Sequence, residues 1–288
     1  MGDMRVAVPV WQRTARLRAM LLTVLLLAGS FWFGHVPAPA AANPAIGPLF
    51  LGSLSGSATT DAGPADALFT TLAGAATTSI DVAMYDFDRA TVRDALIAAH
   101  SRSVTVRVVA DGEDAADPSY MSFYQHLLDA GIAVITDTKA SLQHNKFAGF
   151  DRQITWTGSA NFTDTSFTLN GENVLVITDT VVATAYQTEF EEMFAGAFSN
   201  DKTDNTVHTA TVGGVSIEIA FAPTDGLQQR IVNALNTADV SIQVAMFTFT
   251  NDALGAALVA ARQRGVVVEV LLDQVAARRD RCRARSPL

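Results

Sequence analysis

The chain has 288 residues, 49% of them hydrophobic and 17% charged, which excludes a disordered, collagenous or coiled-coil protein and leaves room for one large or two modest domains. Its one cysteine, Cys282, excludes a disulfide scaffold and a cysteine-built zinc site. The net charge of −9 argues against a protein that coats nucleic acid without sequence preference, because a polyanion would be repelled.

The chain opens as a targeting segment. Arg5, Arg13, Arg16 and Arg18 precede a run of fourteen apolar residues, 20–33, shorter than the roughly 20 that a membrane span needs. Residues 35–42 (HVPAPAAA) then offer small residues for cleavage after Ala40 or Ala42. The pattern predicts a secretory signal peptide over 1–42, with an uncleaved membrane anchor as the alternative. No twin-arginine pair stands in this region, which points to ordinary secretion. Removal of 1–42 leaves sixteen basic and twenty-eight acidic side chains, a charge of −12.

The body is an internal repeat. Helices are expected over 64–76, 89–102, 118–130 and 180–195, and strands over 79–86, 104–110, 132–136, 142–150, 153–158 and 173–178. The run 104–110 (VTVRVVA) is nearly all β-branched and suits a strand buried on both faces. A polar linker follows at 199–206, then a hairpin turning at Gly213-Gly214. The pattern then starts again with a helix over 225–237 and a strand over 241–248. Residues 79–111 and 241–273, offset by 162 positions, share 15 identities in 33, which implies two copies of one α/β unit. The expected fold is α/β, a mostly parallel mixed sheet flanked by helices. The expected domains are a full repeat over 43–200 and a partial one over 201–288. The last stretch, from Ala276, holds five arginines and Cys282. It reads as the clipped or frame-shifted end of a longer gene, the alternative being a basic arm for anionic lipid or nucleic acid.

The chemistry concentrates in 144–161 (HNKFAGFDRQITWTGSAN). His144 and Lys146 are two apart on an expected strand and so share a face. Ser159 and Asn161 repeat that spacing after Gly158. An imidazole, an ammonium, a hydroxyl and an amide aimed at one point suit a phosphodiester: the imidazole attacks phosphorus and the three donors hold its oxygens.

His144, Lys146, Asp151, Gly158, Ser159 and Asn161 match H-x-K-x(4)-D-x(6)-G-S-x-N without departure. A chance match would occur about once in 10⁸ start points. Here the chain resembles the phospholipase D superfamily over about 64–273. The resemblance implies the superfamily's α/β fold and metal-free, cofactor-free phosphodiester chemistry. A histidine forms a phosphohistidine, and the histidine of a second motif protonates the leaving group. It assigns catalysis to His144, Lys146 and Asp151 and phosphate binding to Ser159 and Asn161. To Glu172 it gives the orienting of a catalytic imidazole. Asp151 stays open between catalysis and buttressing its turn, and Glu172 between orienting a histidine and plain solvation. His100, His126 and His208 read as ordinary helix or hairpin residues, Asp86, Asp88 and Asp111 to Asp114 as solvated loop acids, and Trp156 as strand packing.

The repeat offset puts a counterpart of His144 near position 306, and no other H-x-K occurs in the chain. Either two copies of the chain pair so that each gives one His144, or the chain is a catalytically incomplete remnant. The expected function is a secreted phosphodiesterase that hydrolyses phospholipid head groups, with a phospholipid or membrane surface as partner. A nuclease of the same superfamily is the alternative. The acidic body and the three lysines (Lys139, Lys146, Lys202) make nucleic acid the weaker candidate.

Overall fold

The computed structural model describes residues 45–52 and 57–273. The leader over 1–42, with its secretion and anchoring expectations, and the arginine-rich tail lie outside them.

The first copy is one seven-stranded sheet. β1 (Ile46–Leu51) lies at its edge. α1 (Pro64–Ala75) leads into β2 (Ser79–Met84), and α2 (Ala90–Ser101) crosses to β3 (Thr105–Ala110). The short α3 (Gly112–Ala116) and α4 (Pro118–Asp129) cross to β4 (Ala133–Thr136). Then come β5 (Lys146–Phe150), β6 (Ile154–Gly158), α5 (Asp164–Thr168), β7 (Glu172–Thr178) and α6 (Thr180–Phe194). Proline opens α1 and α4, where its missing N–H costs nothing. The Asp117 and Asp179 carboxylates accept from first-turn N–H groups of α4 and α6.

The strand order is β1-β7-β6-β5-β2-β3-β4. The sheet is mixed and flanked by helices, as expected, but it is not mostly parallel. Only β2–β3 and β3–β4 run parallel, while β1–β7, β7–β6, β6–β5 and β5–β2 are antiparallel. The connections explain the difference. The crossovers through α2 and through α3 and α4 return the chain parallel, whereas residues 151–153 between β5 and β6 allow only an antiparallel return.

One face of the sheet packs under α1, α2 and α4 around Phe69, Phe150, Trp156 and Phe162. Phe69 meets Trp156 edge-on at 5.6 Å and Phe162 at 4.9 Å. Trp156 is thus core, as expected. On the other face Ala83, Val109 and Phe147 pack on Phe190 and Met193 of α6. The hairpin of β8 (Thr209–Val212) and β9 (Val215–Glu218) buries Ala210 and Val212 against Ile177 and Val182.

The second copy repeats the start of the first: α7 (Leu227–Thr237), β10 (Ser241–Met246), α8 (Asp252–Gln263) and β11 (Val267–Leu272). β10 and β11 pair parallel in the register of β2 and β3, around their own small core of Ile242, Leu258, Ala261 and Val266. Phe247 and Leu271 are 74% and 72% exposed, where the matching region of the first copy packs against β5 and α6.

Candidate active site

The topology brings the ends of four interior strands together at one end of the sheet, the site edge. Met84, at the end of β2, pairs with Lys146 at the start of β5, and Gly158, at the end of β6, pairs with Val174 near the start of β7. The C-terminal end of β3 lies beside that of β2. His144, Lys146, Ser159, Asn161 and Glu172 therefore gather at this edge. Gly158 is needed where β6 crosses β7, since a Cβ there would sit 2.1 Å from the Asn173 carbonyl oxygen.

His144 precedes β5 and is exposed. Its ring packs on Tyr85 with centroids 4.5 Å apart, and the Lys146 Nζ lies 5.1 Å from the same Tyr85 ring. The two motif side chains therefore share one aromatic platform. The Lys146 Nζ also donates to the His144 carbonyl at 3.0 Å. The chain on both sides of His144 is pinned. Gln143 N donates to Asp111 Oδ2 at 2.9 Å, and Asn145 N donates to Gln143 Oε1 at 2.7 Å. Gln143 and Asp111 are both buried.

Partial burial of the imidazole, helped by the Lys146 charge, pushes the His144 pKa below its ordinary 6.5, against the pull of Asp86 and Asp111. The ring is thus neutral, with a free lone pair, at neutral pH. Burial pushes the Lys146 ammonium down to about 8, opposed by Asp86, Glu172 and Asp114. Glu172 and Asp86, whose charges act on Lys146, also hold two further motif residues. Ser159 Oγ donates to Glu172 Oε2 at 2.5 Å, and Asn161 Nδ2 donates to Asp86 Oδ2 at 2.9 Å.

A pH profile follows from these shifts. We expect kcat/KM on a phosphodiester to fall below a pH under 6.5, as His144 protonates, and to fall again above about 8 as Lys146 loses its charge. In Lys146→Arg the guanidinium stays charged, so the alkaline fall should vanish whatever rate remains. An alkaline limb unchanged in that variant would show that another group titrates.

Asp151 and Glu172, each open between two readings, find their partners away from His144, and the reading of the loop acids as solvated needs correction. Asp151 follows the far end of β5 and accepts from the N–H groups of Thr77, Thr78 and Ser79 at the start of β2. Five residues of strand separate it from Lys146, about 16 Å, so it cannot reach a phosphate held at His144. Glu172 bonds Ser159, with longer contacts to Ser166 and Asn170, and among the described residues its partners do not include His144. In this chain it orients the serine. Asp86, Asp88 and Asp111 are not solvated loop acids. Asp111, 2% exposed, caps α3 through Glu113 N and Asp114 N, and Asp88 Oδ1 accepts from Asp164 N.

Sequence reasoning missed Tyr85, Asp86 and Gln143. Their signal was available for the first two: they stand where the second copy has Phe247 and Thr248, inside an otherwise matching stretch. Among the described residues, Asp204, His208 and Asp225 bring potential metal-ligating atoms within 4.8 Å. The His208 nitrogens already meet Ile219 O at 3.0 Å and Asp204 Oδ1 at 2.7 Å, so the group serves as a clasp between linker and hairpin.

A mixed α/β sheet with His144, Lys146, Ser159 and Asn161 of the motif gathered at the ends of its strands defines a member of the phospholipase D superfamily. The family described as "Cardiolipin synthase, PLD-like domain" matches residues 69–194 and 231–286, and the chain belongs to it. The mitochondrial cardiolipin hydrolase of Xenopus laevis is 38% identical over 116 residues, 40% of this chain and 54% of that protein. A phospholipase D of Rickettsia prowazekii is 33% identical over 130 residues, 45% of this chain and 59% of that protein. The chain thus spans about half the length of the curated relatives it matches. Nuc from Salmonella typhimurium, a phospholipase D family member of known crystal structure, aligns over 52% of this chain and 95% of its own, with 27% identity and a TM-score of 0.46.

Proposed function

We propose that the chain is a secreted phosphodiesterase that hydrolyses the head-group phosphodiester of phospholipids, with His144 as nucleophile. The observation that carries this is the placing of His144: an exposed imidazole, neutral at neutral pH, on a Tyr85 platform beside the Lys146 ammonium. The His144 lone pair forms the P–N bond while the bond from phosphorus to the leaving oxygen breaks. Lys146, Ser159 and Asn161 hold the non-bridging oxygens as charge develops on them. The departing alcohol oxygen takes a proton from a second imidazole. Water then attacks phosphorus, the P–N bond breaks, and His144 is regenerated.

The second imidazole defines the assembly. A homodimer in which two copies of this edge face one another would supply His144 twice. Phospholipid is favoured as substrate because the relatives are named cardiolipin hydrolase and phospholipase D.

The full chain should release phosphatidic acid from cardiolipin vesicles and leave supercoiled plasmid intact. Light scattering should give twice the monomer mass, with activity tracking the dimer fraction. Plasmid nicking without lipid turnover would overturn the substrate assignment, and an active monomer would overturn the pairing.

A further inference from the structure

Asn161 is held in an unusual way. Its Nδ2 donates to Asp86 Oδ2 at 2.9 Å, while its Oδ1 is buried without a partner. A carboxylate can only accept, so rotating the amide by 180° would set oxygen against oxygen. Asp86 thereby fixes which end of the amide faces it and leaves the second N–H of Nδ2 for another acceptor. The loop itself does not need this carboxylate. Phe162 N donates to the Asp86 carbonyl at 3.2 Å, and the N–H groups of Asp88 and Arg89 donate to Phe162 O at 3.0 and 2.8 Å. Arg89, buried, ties the same region to Asp66 and Asp164. The main chain of 159–164 is thus stitched to 86–89 whatever side chain stands at 86.

A negative charge here works against a phosphate site, so its presence calls for a reason. Asp114 lies against Asp86. Burial first, then a hydrogen bond to Asp86 and the Asp86 charge, push the Asp114 carboxyl up to about 7. The internal repeat supplies an independent comparison. Met84 and Phe87 recur as Met246 and Phe249, but the two residues between them change from Tyr85-Asp86 to Phe247-Thr248. In the copy that carries the complete motif, the divergent pair touches His144, Lys146 and Asn161.

We propose that Asp86 is a positioning residue for the phosphodiester site, its carboxylate holding the Asn161 amide so that the free N–H meets a phosphoryl oxygen. This rests on the reading of Asn161 as a phosphate ligand given above. Removing Asp86 has two opposed effects, since it frees the amide but also lifts a repulsion. Asp86→Asn lifts the repulsion and keeps an acceptor, whereas Asp86→Ala lifts it and loses the acceptor. Comparing these two at equal charge isolates the hydrogen bond.

Calorimetric binding of inorganic tungstate to the full chain, beside kcat/KM on cardiolipin vesicles, reads the effect. Asp86→Ala should bind tungstate about tenfold more weakly than Asp86→Asn, the worth of one hydrogen bond. Its kcat/KM should fall further, by about 10²-fold, because catalysis is more sensitive to misplacement than binding. In the double variant Asp86→Ala/Asn161→Ala, binding should be no weaker than in Asn161→Ala, as expected when one residue acts through the other. A purely structural role would instead give additive losses and a lowered melting temperature. If Asp86→Ala does not fold, Asp86→Val, which likewise offers no acceptor, takes its place. Equal tungstate binding by the Ala and Asn variants, additive losses, or a wild type that does not bind tungstate would each overturn the inference. An intact binding pattern without lipid turnover would instead refute the proposed activity and leave the role of Asp86 standing.

Discussion

His144→Ala is expected to lower kcat on a phospholipid by about 10⁴-fold or more, the loss that follows removal of a covalent nucleophile, while leaving the melting temperature within a degree or two of wild type. The ring is exposed, and among the described residues its side chain makes no hydrogen bond. Its packing on Tyr85 is the main interaction that the variant gives up, worth about 0.5–1 kcal/mol at an exposed position. KM should change little, because Lys146, Ser159 and Asn161 remain to hold the phosphate. Stability and activity are thus uncoupled at this residue. Rapid quenching of wild type in alkaline denaturant with a phosphorus-labelled phosphodiester should trap label on the protein that is stable to alkali and released by acid, and the variant should trap none. A His144→Ala protein that keeps more than a few per cent of activity would remove the nucleophile from the scheme.

Much of this site was legible because the superfamily motif fixes side chains relative to a strand, and strands carry that spacing into space. His144 and Lys146 meet one Tyr85 ring although β5 begins only at Lys146, so His144 lies in the loop before the strand and not on it, where the spacing places it. Helices and strands of the βαβ part were legible too, since crossover helices carry a 3.6-residue pattern and β3 is nearly all β-branched. Sequence periodicity does not report partners across the sheet. Ser159–Glu172 and Asn161–Asp86 are bonds between residues 13 and 75 positions apart, set by strand order alone. β1 escaped notice because Gly47 and Pro48 interrupt it, which only an edge strand tolerates. α3 and α5, five residues each, are too short to show a period. The acids after β2 and β3 read as solvated because charge is usually a surface property. Here Asp111 is satisfied by backbone N–H groups, which offset the cost of its burial.

Asp151 provides the sharpest test of structure against motif, since a catalytic role and a structural one predict opposite results. Its carboxylate accepts from Thr77 N, Thr78 N and Ser79 N at 2.8–3.2 Å and from the Thr77 and Thr78 hydroxyls. It therefore clamps the entry of β2, the strand whose other end carries Tyr85 and Asp86. Asp151 and Arg152 also sit at φ 53° and 55°, a left-handed turn that Asp tolerates better than Ala. Asp151→Ala should cost about 2–3 kcal/mol, less than the sum of its bonds because water reaches the freed Thr77 and Thr78 groups. For a chain of this size that lowers the melting temperature by about 5–10 °C. Burial alone would raise the Asp151 pKa, but the donors at Ser79, Thr77 and Thr78 outweigh it and hold the carboxyl far below its ordinary 3.8. Because the native pKa is depressed, the stabilisation is complete above about pH 4 and is lost as pH falls through the lowered native value. The stability gap between wild type and Asp151→Ala should therefore narrow in strong acid. Well below its melting temperature, Asp151→Ala should keep kcat within a few-fold of wild type. A loss as deep as that of His144→Ala in a fully folded variant would mean that this carboxylate acts on the phosphate after all, and that the far end of β5 moves when substrate binds.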